Sequence, residues 1–282
     1  MLKHTFCHIP RVGVGTEEKY WSRGLACWDD ALAAPETGPR ALGPRAAWVR
    51  QHLELSRQRL AAGDALWFAR QLPSGQDWRL FADFRHGAAY VDIETTGLSH
   101  DGGDHITTIA LYGGGRVRTY VHGRDLERFA DDIQAFSLLV TFNGKSFDVP
   151  FLRRELGLKL DMAHIDLRHV MKRVGLSGGL KAIERQLGLS RDGLDGVDGY
   201  FAVLLWHEYQ TTGNPAALET LLAYNAADVV GLEPLMVHAW NALAGATPHG
   251  VALALPAPPA PAPLPHRPDP ALVAALRRRY GL

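Results

Sequence analysis

Cysteine is scarce in this sequence, because only Cys7 and Cys27 occur among 282 residues. Two thiols cannot build the dense disulfide framework of small secreted domains, so we expect both to stay reduced in a cytoplasmic setting. A zinc site that combines them with His8 would lack the short cysteine spacing of structural zinc sites. The composition therefore predicts buried or inactive thiols.

An excess of either charge is also absent, since Lys and Arg total 30 and Asp and Glu total 30. No global positive field then attracts a polyanion, and any nucleic-acid binding must come from local basic patches and bound metal.

Long apolar runs are missing as well. No uninterrupted stretch reaches membrane-spanning length, prolines break the apolar segment 251–264, and the first residues lack the pattern of a secretory signal. A chain of this length can form one or two domains with a sizeable core. We therefore expect a globular protein outside the membrane.

The segment 90–98, YVDIETTGL, carries the clearest chemical pattern. Asp92 and Glu94 alternate with β-branched apolar residues, and residues two apart in a strand point to the same face. Both carboxylates then lie side by side at the strand end, where they repel each other. A hard cation such as Mg²⁺ relieves this repulsion through carboxylate oxygens. The alternative is the polar face of a half-exposed strand.

Two later segments add further acids. Asp148 follows an apolar strand and an Asn-Gly turn and opens the next helix, where an ordinary N-cap is the alternative interpretation. Tyr224 and Asp228 are four residues apart, so they share one helix face. The alternative for this pair is an exposed acid beside a half-buried tyrosine.

Together these motifs resemble the DEDD superfamily of 3′–5′ exonucleases over roughly residues 88–240. The phrases TFNGKSFDVPFL, GGLKAIERQLGL and YNAADVVGLEPL look most like the YprB-like branch of predicted nucleases, which is DnaQ-like. The acids match in order, with Asp92 and Glu94 in the first motif, Asp148 in the second and Asp228 in the third. Tyr224 matches the tyrosine subclass, DEDDy.

The resemblance implies an α/β fold, with a ribonuclease H-like mixed five-stranded sheet flanked by helices. It also implies hydrolysis of single-stranded nucleic acid, DNA or RNA, from its 3′ end with two divalent cations, Mg²⁺ or Mn²⁺. By the same resemblance, Asp92 bridges both cations, and Glu94 and Asp228 complete the first site. Asp148 supports the second cation, and Tyr224 orients the attacking water.

Neighbouring residues are candidate contacts for the terminal nucleotide. They offer amides, hydroxyls, an apolar wedge, a cation and an aromatic ring: Thr95, Thr96, Leu98, Asn143, Lys145 and Phe147. Core packing is the alternative for Phe147. Ser177, Lys181 and Arg185 are further candidates for contact with the strand backbone. Two other functions stay open, a non-catalytic nucleic-acid-binding adaptor and a structure-specific endonuclease.

Four segments are expected along the chain, with a helical extension before the catalytic domain. Residues 1–35 resemble a helix-hairpin-helix, 36–87 form a helix and a strand-hairpin connector, 88–245 form the exonuclease domain, and 246–282 form a Pro/Ala-rich linker with a basic tail. In the first segment, Gly13, Gly15 and Lys19 would contact a phosphate, although Arg11 replaces the usual glycine. The alternative is a purely structural helical pair, capped by Thr16.

Several finer expectations follow from local patterns. Strands are predicted at 66–70, 78–81 and 165–170, and Pro234 is expected to kink or break the long helix that carries Tyr224. The arginines of the helix near 46–62 form a solvated face or a nucleic-acid track. Residues 256–270 are expected to form an extended spacer rich in proline and alanine, and residues 271–282 a short helix with a basic end. This end is either a frayed, solvated tail or a tethered contact for a protein partner, such as a repair complex, or for nucleic acid.

Overall fold

A mixed five-stranded sheet forms the centre of the protein. The computed structural model describes residues 1–99, 103–189, 194, 197–258 and 263–282. The strands are β1 Ala88–Thr95, β2 Ile106–Gly113, β3 Arg116–Val121, β4 Leu138–Thr141 and β5 Ala163–Asp166. Their order is β3-β2-β1-β4-β5, with β1 antiparallel to β2 and parallel to β4. The predicted α/β sheet with an N-terminal helical region is confirmed.

Helices cover both faces of this sheet and fill the N-terminal region. In the described ranges they are α1 Val14–Ser22, α2 Trp28–Leu32, α3 Ala46–Ala61, α4 Ala65–Gln71, α5 Phe81–Phe84, α6 Phe129–Asp132, α7 Asp148–Leu156, α8 Leu167–Arg173, α9 Leu180–Gln186, α10 Gly199–Thr212, α11 Pro215–Gly245, α12 Gly250–Leu253 and α13 Pro270–Tyr280. Short 3₁₀ turns lie at Leu2–His4, Asp77–Leu80, Arg85–Gly87, Leu126–Arg128 and Ile133–Ala135. Within the described part of the chain, no helix combines the length and apolar character needed to cross a membrane.

The central strand β1 separates two apolar cores. Val91 and Ile93 face one cluster, where they meet Phe129 and Phe151. The opposite face of β1 carries Asp92, which pairs in register with the small residue Ala110 of β2. Because Ala110 takes little space, the long helix α11 can pack across β1 and β2 on this face. The sheet therefore presents its acids to α11.

Helix α11 runs for 31 residues and holds the third motif. Asn214 caps its start, since its Oδ1 accepts a hydrogen bond from the Ala216 amide at 3.0 Å. The sequence predicts a kink or a break at Pro234, and the break is wrong, because the helix continues through this residue. Leu235 and Met236, which follow the proline, are fully buried, so packing outweighs the hydrogen bond that proline cannot donate.

The strands predicted at 66–70 and 78–81 are also wrong, because both segments are helical. Asp64 caps α4, with its carboxylate accepting from the Trp67 amide at 2.9 Å. Apolar residues spaced by three, Ala65 and Phe68, are then buried on one face. The short run of apolar and aromatic residues at 66–70 is compatible with a strand or a helix. The Asp64 cap favours the helix.

The strand predicted at 165–170 ends early, at Asp166. The Asp166 carboxylate accepts from the Arg168 amide at 3.1 Å and so caps α8, which occupies the rest of the segment. Helix-capping chemistry therefore overrides the apolar pattern here as well.

Two short helices, α1 and α2, form the N-terminal pair, as the sequence predicts. The glycine turn precedes α1, and Gly13 rather than Thr16 is its N-cap. Arg11 adopts a left-handed backbone with φ of 71°, which is the conformation that glycine usually supplies. The pair shares one apolar core with α4 and α11, in which Trp28, Phe68 and Trp240 are buried. A phosphate contact there stays a prediction.

The arginines of α3 are engaged with acids rather than aligned as an open track. Arg50 pairs with Glu36, Arg57 with Asp29 and Arg59 with Asp64. These pairs satisfy the cationic charge locally and favour the interpretation of a solvated face.

The tail is docked rather than tethered in the described residues 263–282. Val273 and Leu276 of α13 are buried in a core with α10 and α11. Arg279 pairs with Glu208 at 2.6 Å, and His266 contacts Thr119 of β3 at 2.9 Å. The short helix predicted at 271–282 is therefore present, and the frayed alternative is wrong for these residues, since an apolar helix face and an ion pair hold α13. Contact of this helix with a protein partner or nucleic acid stays a prediction.

A buried ion pair joins the first helix to the connector. Glu17 and Arg79 lie 2.8 Å apart with side chains 0% and 4% exposed. The Glu17 carboxylate also accepts from the amides of Phe6 and Cys7. The loop at residues 6 and 7 therefore depends on the Glu17–Arg79 charge pair.

Both cysteines are unpaired thiols, as predicted, and burial raises the pKa of Cys7 to about 12.

We expect Arg79→Met to destabilise the fold by about 3–5 kcal/mol, because it leaves the Glu17 carboxylate buried without its countercharge. Urea unfolding followed by circular dichroism measures the change. The control is Arg59→Met, whose pair with Asp64 has side chains 46% and 30% exposed and should contribute about 1 kcal/mol or less. Equal losses in the two variants would contradict a special role for the buried pair.

Candidate metal centre

Five predicted residues from distant parts of the chain line one cleft of about 300 Å³. Asp92 and Glu94 come from β1, Asp148 from the start of α7, and Tyr224 and Asp228 from α11. Their positions follow from the fold, because β1 ends beside β4 and its following helix while α11 crosses above them. The cleft lies at the carboxyl end of β1 and β4, where α/β proteins commonly place their sites.

Three of these carboxylates form a compact cluster. One oxygen from each of Asp92, Glu94 and Asp228 lies within 4.8 Å of the other two. Burial raises the pKa of Asp92 well above its usual value, and the charges of Asp228, Glu94 and Asp148 raise it further. Without a cation, the three carboxylates repel one another. Because all their ligand atoms are oxygens, they fit a hard divalent ion such as Mg²⁺ or Mn²⁺.

Asp148 stands slightly apart from the three-carboxylate cluster. It is the first residue of α7, whose N-cap is Phe147, and its Oδ1 accepts from the Ile93 amide of β1 at 3.2 Å. The carboxylate is therefore tied to β1 instead of capping its own helix. Burial raises the pKa of Asp148 to about 7. This placement suits a ligand that supports a second cation beside the cluster.

Asp166 holds the loop that leads to Asp148, and the sequence analysis did not identify it. Its buried carboxylate accepts from the amides of Asn143 at 2.8 Å and Lys145 at 3.1 Å. Asn143 takes a left-handed backbone with φ of 68°, and Gly144 packs so tightly on Thr141 that a Cβ would collide with it. The signal in the sequence was an acid at the end of a short apolar strand.

Three residues near the second motif, Asn143, Lys145 and Phe147, were predicted to contact the substrate, and only two of them line the cleft. Asn143 and Phe147 line the cleft, and the Asn143 Oδ1 accepts from Arg168 at 2.7 Å. Phe147 also packs against the ring of Phe151, at 5.1 Å between centroids. The Lys145 ammonium is turned to Asp77 at 2.9 Å. A phosphate contact by Lys145 would have to replace or share this ion pair.

The first-motif neighbours lie just beyond the cluster. Thr95 donates its hydroxyl to the Gly97 carbonyl at 2.5 Å, and Thr96 donates to Asp104 at 3.3 Å. A Cβ at Gly97 would meet the Asp104 carboxylate at 2.5 Å, so the turn requires glycine here. Leu98 is 85% exposed and is not among the residues that line the cleft, so its predicted contact with the terminal nucleotide stays a prediction.

The positively charged side chain of Lys181 lines the cleft beside Tyr224. Its Nζ donates to the Tyr224 hydroxyl at 2.6 Å, lies 3.8 Å from the ring centroid, and also donates to the Val197 carbonyl. The sequence suggested a backbone contact for Lys181, and the structure adds a direct contact with the tyrosine of the third motif. Ser177 and Arg185 are not among the residues that line the cleft.

Comparison with known families agrees with this fold. The family model of the ribonuclease H superfamily matches residues 89–240, which is just over half of the chain. The chain belongs to the ribonuclease H superfamily. The match includes β1, α7 and most of α11, and therefore every acid of the cleft.

One sequence relative and one solved structure extend the comparison. "Uncharacterized protein YprB" of Bacillus subtilis (strain 168) is 32% identical over 177 residues, which cover 53% of this chain and 41% of that protein. The chain thus spans about two fifths of this relative. The family B DNA polymerase from the archaeon Pyrobaculum calidifontis is 18% identical, covering 60% of this chain and 27% of that one, with a TM-score of 0.41.

The raised pKa of Asp148 predicts how stability depends on pH. A carboxyl whose pKa rises from 3.8 to about 7 on folding binds more protons when folded, so its contribution to stability falls as pH increases through that window. The ion-free protein should therefore lose thermal stability between about pH 4 and about pH 7, and Asp148→Asn should flatten this change. Calorimetry at several pH values measures it.

The matched control is Asp161→Asn, because the Asp161 side chain is 70% exposed and lies outside the cleft. This variant should keep the slope of the unaltered protein. Saturating Mg²⁺ should also reduce the slope, since a cation favours the ionised carboxylates. An Asp148→Asn protein with the original slope would show that another group controls it.

Proposed function

We propose that this ribonuclease H superfamily protein is a metal-dependent 3′–5′ exonuclease of the DEDDy type. The convergence of four acids and Tyr224 on one cleft is the observation that supports it. The substrate is a single strand of DNA or RNA, and the products are mononucleotides. The two unpaired thiols, Cys7 and Cys27, suit a cytoplasmic enzyme.

The acids divide the work of cation binding. Asp92, Glu94 and Asp228, whose oxygens lie within 4.8 Å of one another, would hold one divalent ion. Asp148 with Asp92 would support a second. When bound, such ions neutralise charge on the phosphoryl group and lower the pKa of water. The protein contributes a fixed set of oxygens, because the Ile93 amide locks Asp148 and the sheet locks Asp92.

Tyr224 and Lys181 complete the reaction site. The Lys181 ammonium fixes the tyrosine oxygen at the cleft, 2.6 Å away. The Tyr224 hydroxyl then orients the attacking water toward phosphorus, and the leaving group departs on the opposite side. The Lys181 charge lies close enough to the tyrosine to stabilise negative charge that develops nearby. The mechanism needs no covalent intermediate with the protein.

The surroundings of the cleft favour one nucleotide at a time. Its volume is about 300 Å³, and the aromatic side chain of Phe147 forms part of its wall. Stacking of bases on aromatic side chains is a common way to hold single strands without reading their sequence. A role in DNA repair or nucleic-acid processing, with a protein partner at the C-terminal helix α13, accords with this proposal.

The decisive assay follows 5′-end-labelled single strands with Mg²⁺ or Mn²⁺ and with EDTA. We expect stepwise shortening from the 3′ end that EDTA abolishes. Asp92→Ala together with Asp228→Ala should lower the rate by about 100-fold or more, because both residues hold the same cation site. Asp161→Asn is the matched control and should retain full activity.

Circular single strands provide the complementary test, since an exonuclease has no end on which to start. Cleavage of circles would support the endonuclease alternative. Strand binding that is equally tight with and without cations, and no hydrolysis, would support the adaptor. Activity that survives loss of both Asp92 and Asp228 would falsify the proposed site. Matched DNA and RNA strands, labelled at either end, identify the sugar and the polarity.

Tyr224→Phe tests the tyrosine separately from the cations. The variant keeps the ring that Lys181 contacts but removes the hydroxyl that orients water, so we expect the rate to fall by about 100-fold. The affinity for Mn²⁺, measured by calorimetry, should stay within experimental error of the unaltered protein. A weaker Mn²⁺ affinity in Tyr224→Phe would mean that the hydroxyl belongs to the metal site instead.

A further inference from the structure

Asn225 contacts the central acid of the cleft, although the sequence motifs assign it no role. Its side chain is completely buried, and its Nδ2 donates to Asp92 Oδ2 at 2.7 Å. The same Nδ2 lies 3.3 Å from the backbone carbonyl of Asp92. One amide group on α11 therefore holds both the side chain and the backbone of Asp92 on β1.

Thr108 of β2 determines which way this amide points. The buried Thr108 hydroxyl donates to Asn225 Oδ1 at 3.1 Å, which places the carbonyl oxygen toward β2 and the amino group toward Asp92. Thr108 is also the register partner of Glu94 in the β1–β2 ladder. A chain of hydrogen bonds thus runs from β2 through α11 to the acid cluster.

An asparagine is well suited to this position for an electrostatic reason. Asp92 lies among like charges, so a lysine or arginine in place of Asn225 would neutralise the cluster and compete with a cation. An aspartate would add another repelling charge. A neutral amide supplies a strong hydrogen bond to a charged acceptor while it leaves the negative charge of the cluster intact.

We propose that Asn225 and Thr108 are positioning residues that set the affinity of the cleft for its divalent cation. Asn225 holds Oδ2 of Asp92 and thereby presents Oδ1 to the ion, and Thr108 keeps the Asn225 amide in the orientation that does so. This inference rests on the metal site of the proposed function. Hydrogen-bond partners of metal ligands typically change metal affinity by about 10–100-fold when removed.

Calorimetric titration with Mn²⁺ alone tests this without any nucleic acid. Asn225→Leu, which has a similar shape but no amide, should raise the Kd for Mn²⁺ by about 10–100-fold. Thr108→Val should raise it by a smaller factor, because the amide is retained but its orientation is no longer fixed. Wild-type Mn²⁺ affinity in either folded variant would overturn the proposal.

Thr107→Val is the matched control on the same strand. Thr107 is 1% exposed, and within the described residues its hydroxyl has no hydrogen-bond partner. The substitution therefore removes a buried hydroxyl next to Thr108 without touching the chain of hydrogen bonds. Its Mn²⁺ affinity should equal that of the unaltered protein, and a matching loss in this variant would mean that general core damage explains the effect.

Asn225→Asp keeps the proposal testable if the leucine variant fails to fold. A carboxylate oxygen would then face Asp92 Oδ2, so the ion-free protein should melt at a lower temperature and gain more from saturating Mn²⁺ than the unaltered protein does. Unchanged melting of the ion-free variant would overturn the inference.

If the unaltered chain binds Mn²⁺ but releases no nucleotide, the proposed activity fails while the inference stands. No Mn²⁺ binding would overturn both.

Discussion

Mutual repulsion among buried carboxylates is the constraint on which the rest of this structure depends. Asp92, Glu94 and Asp228 lie within 4.8 Å of one another, and burial together with neighbouring acids raises the pKa of Asp92 well above its usual value. Folding brings these groups together against their electrostatic preference. The free energy that opposes the repulsion must come from apolar packing and hydrogen bonds elsewhere.

Those stabilising contacts are arranged around the elements that carry the acids. Strand β1 lies at the centre of the sheet, with ladders on both sides, and α11 is buried along most of its length. Helix α7 is fastened to β1 by the Asp148 to Ile93 hydrogen bond. Each acid is therefore carried by an element whose packing lies mainly outside the cleft, and that packing holds the carboxylates together.

Local patterns in the sequence predicted the parts of the fold with a strong, short-range signal. Alternation around Asp92 identified β1, and the Asn214-Pro215 pair identified the start of α11. The same approach failed at 66–70, where a short aromatic run is compatible with strand or helix until Asp64 caps it. A break at Pro234, predicted as one alternative beside a kink, does not occur, because burial of the flanking residues keeps the helix continuous despite the missing donor.

The sequence by itself determined which acids are present, their order along the chain, and the faces on which Asp92 with Glu94 and Tyr224 with Asp228 lie. Only the tertiary structure decided what touches them. Asn225 meets Asp92 across 133 residues of chain, and Lys145 turns to Asp77 across 68. The reason is physical. Periodicity reports which face of an element is buried, whereas these contacts depend on the angle and register at which α11 and the connector pack against the sheet.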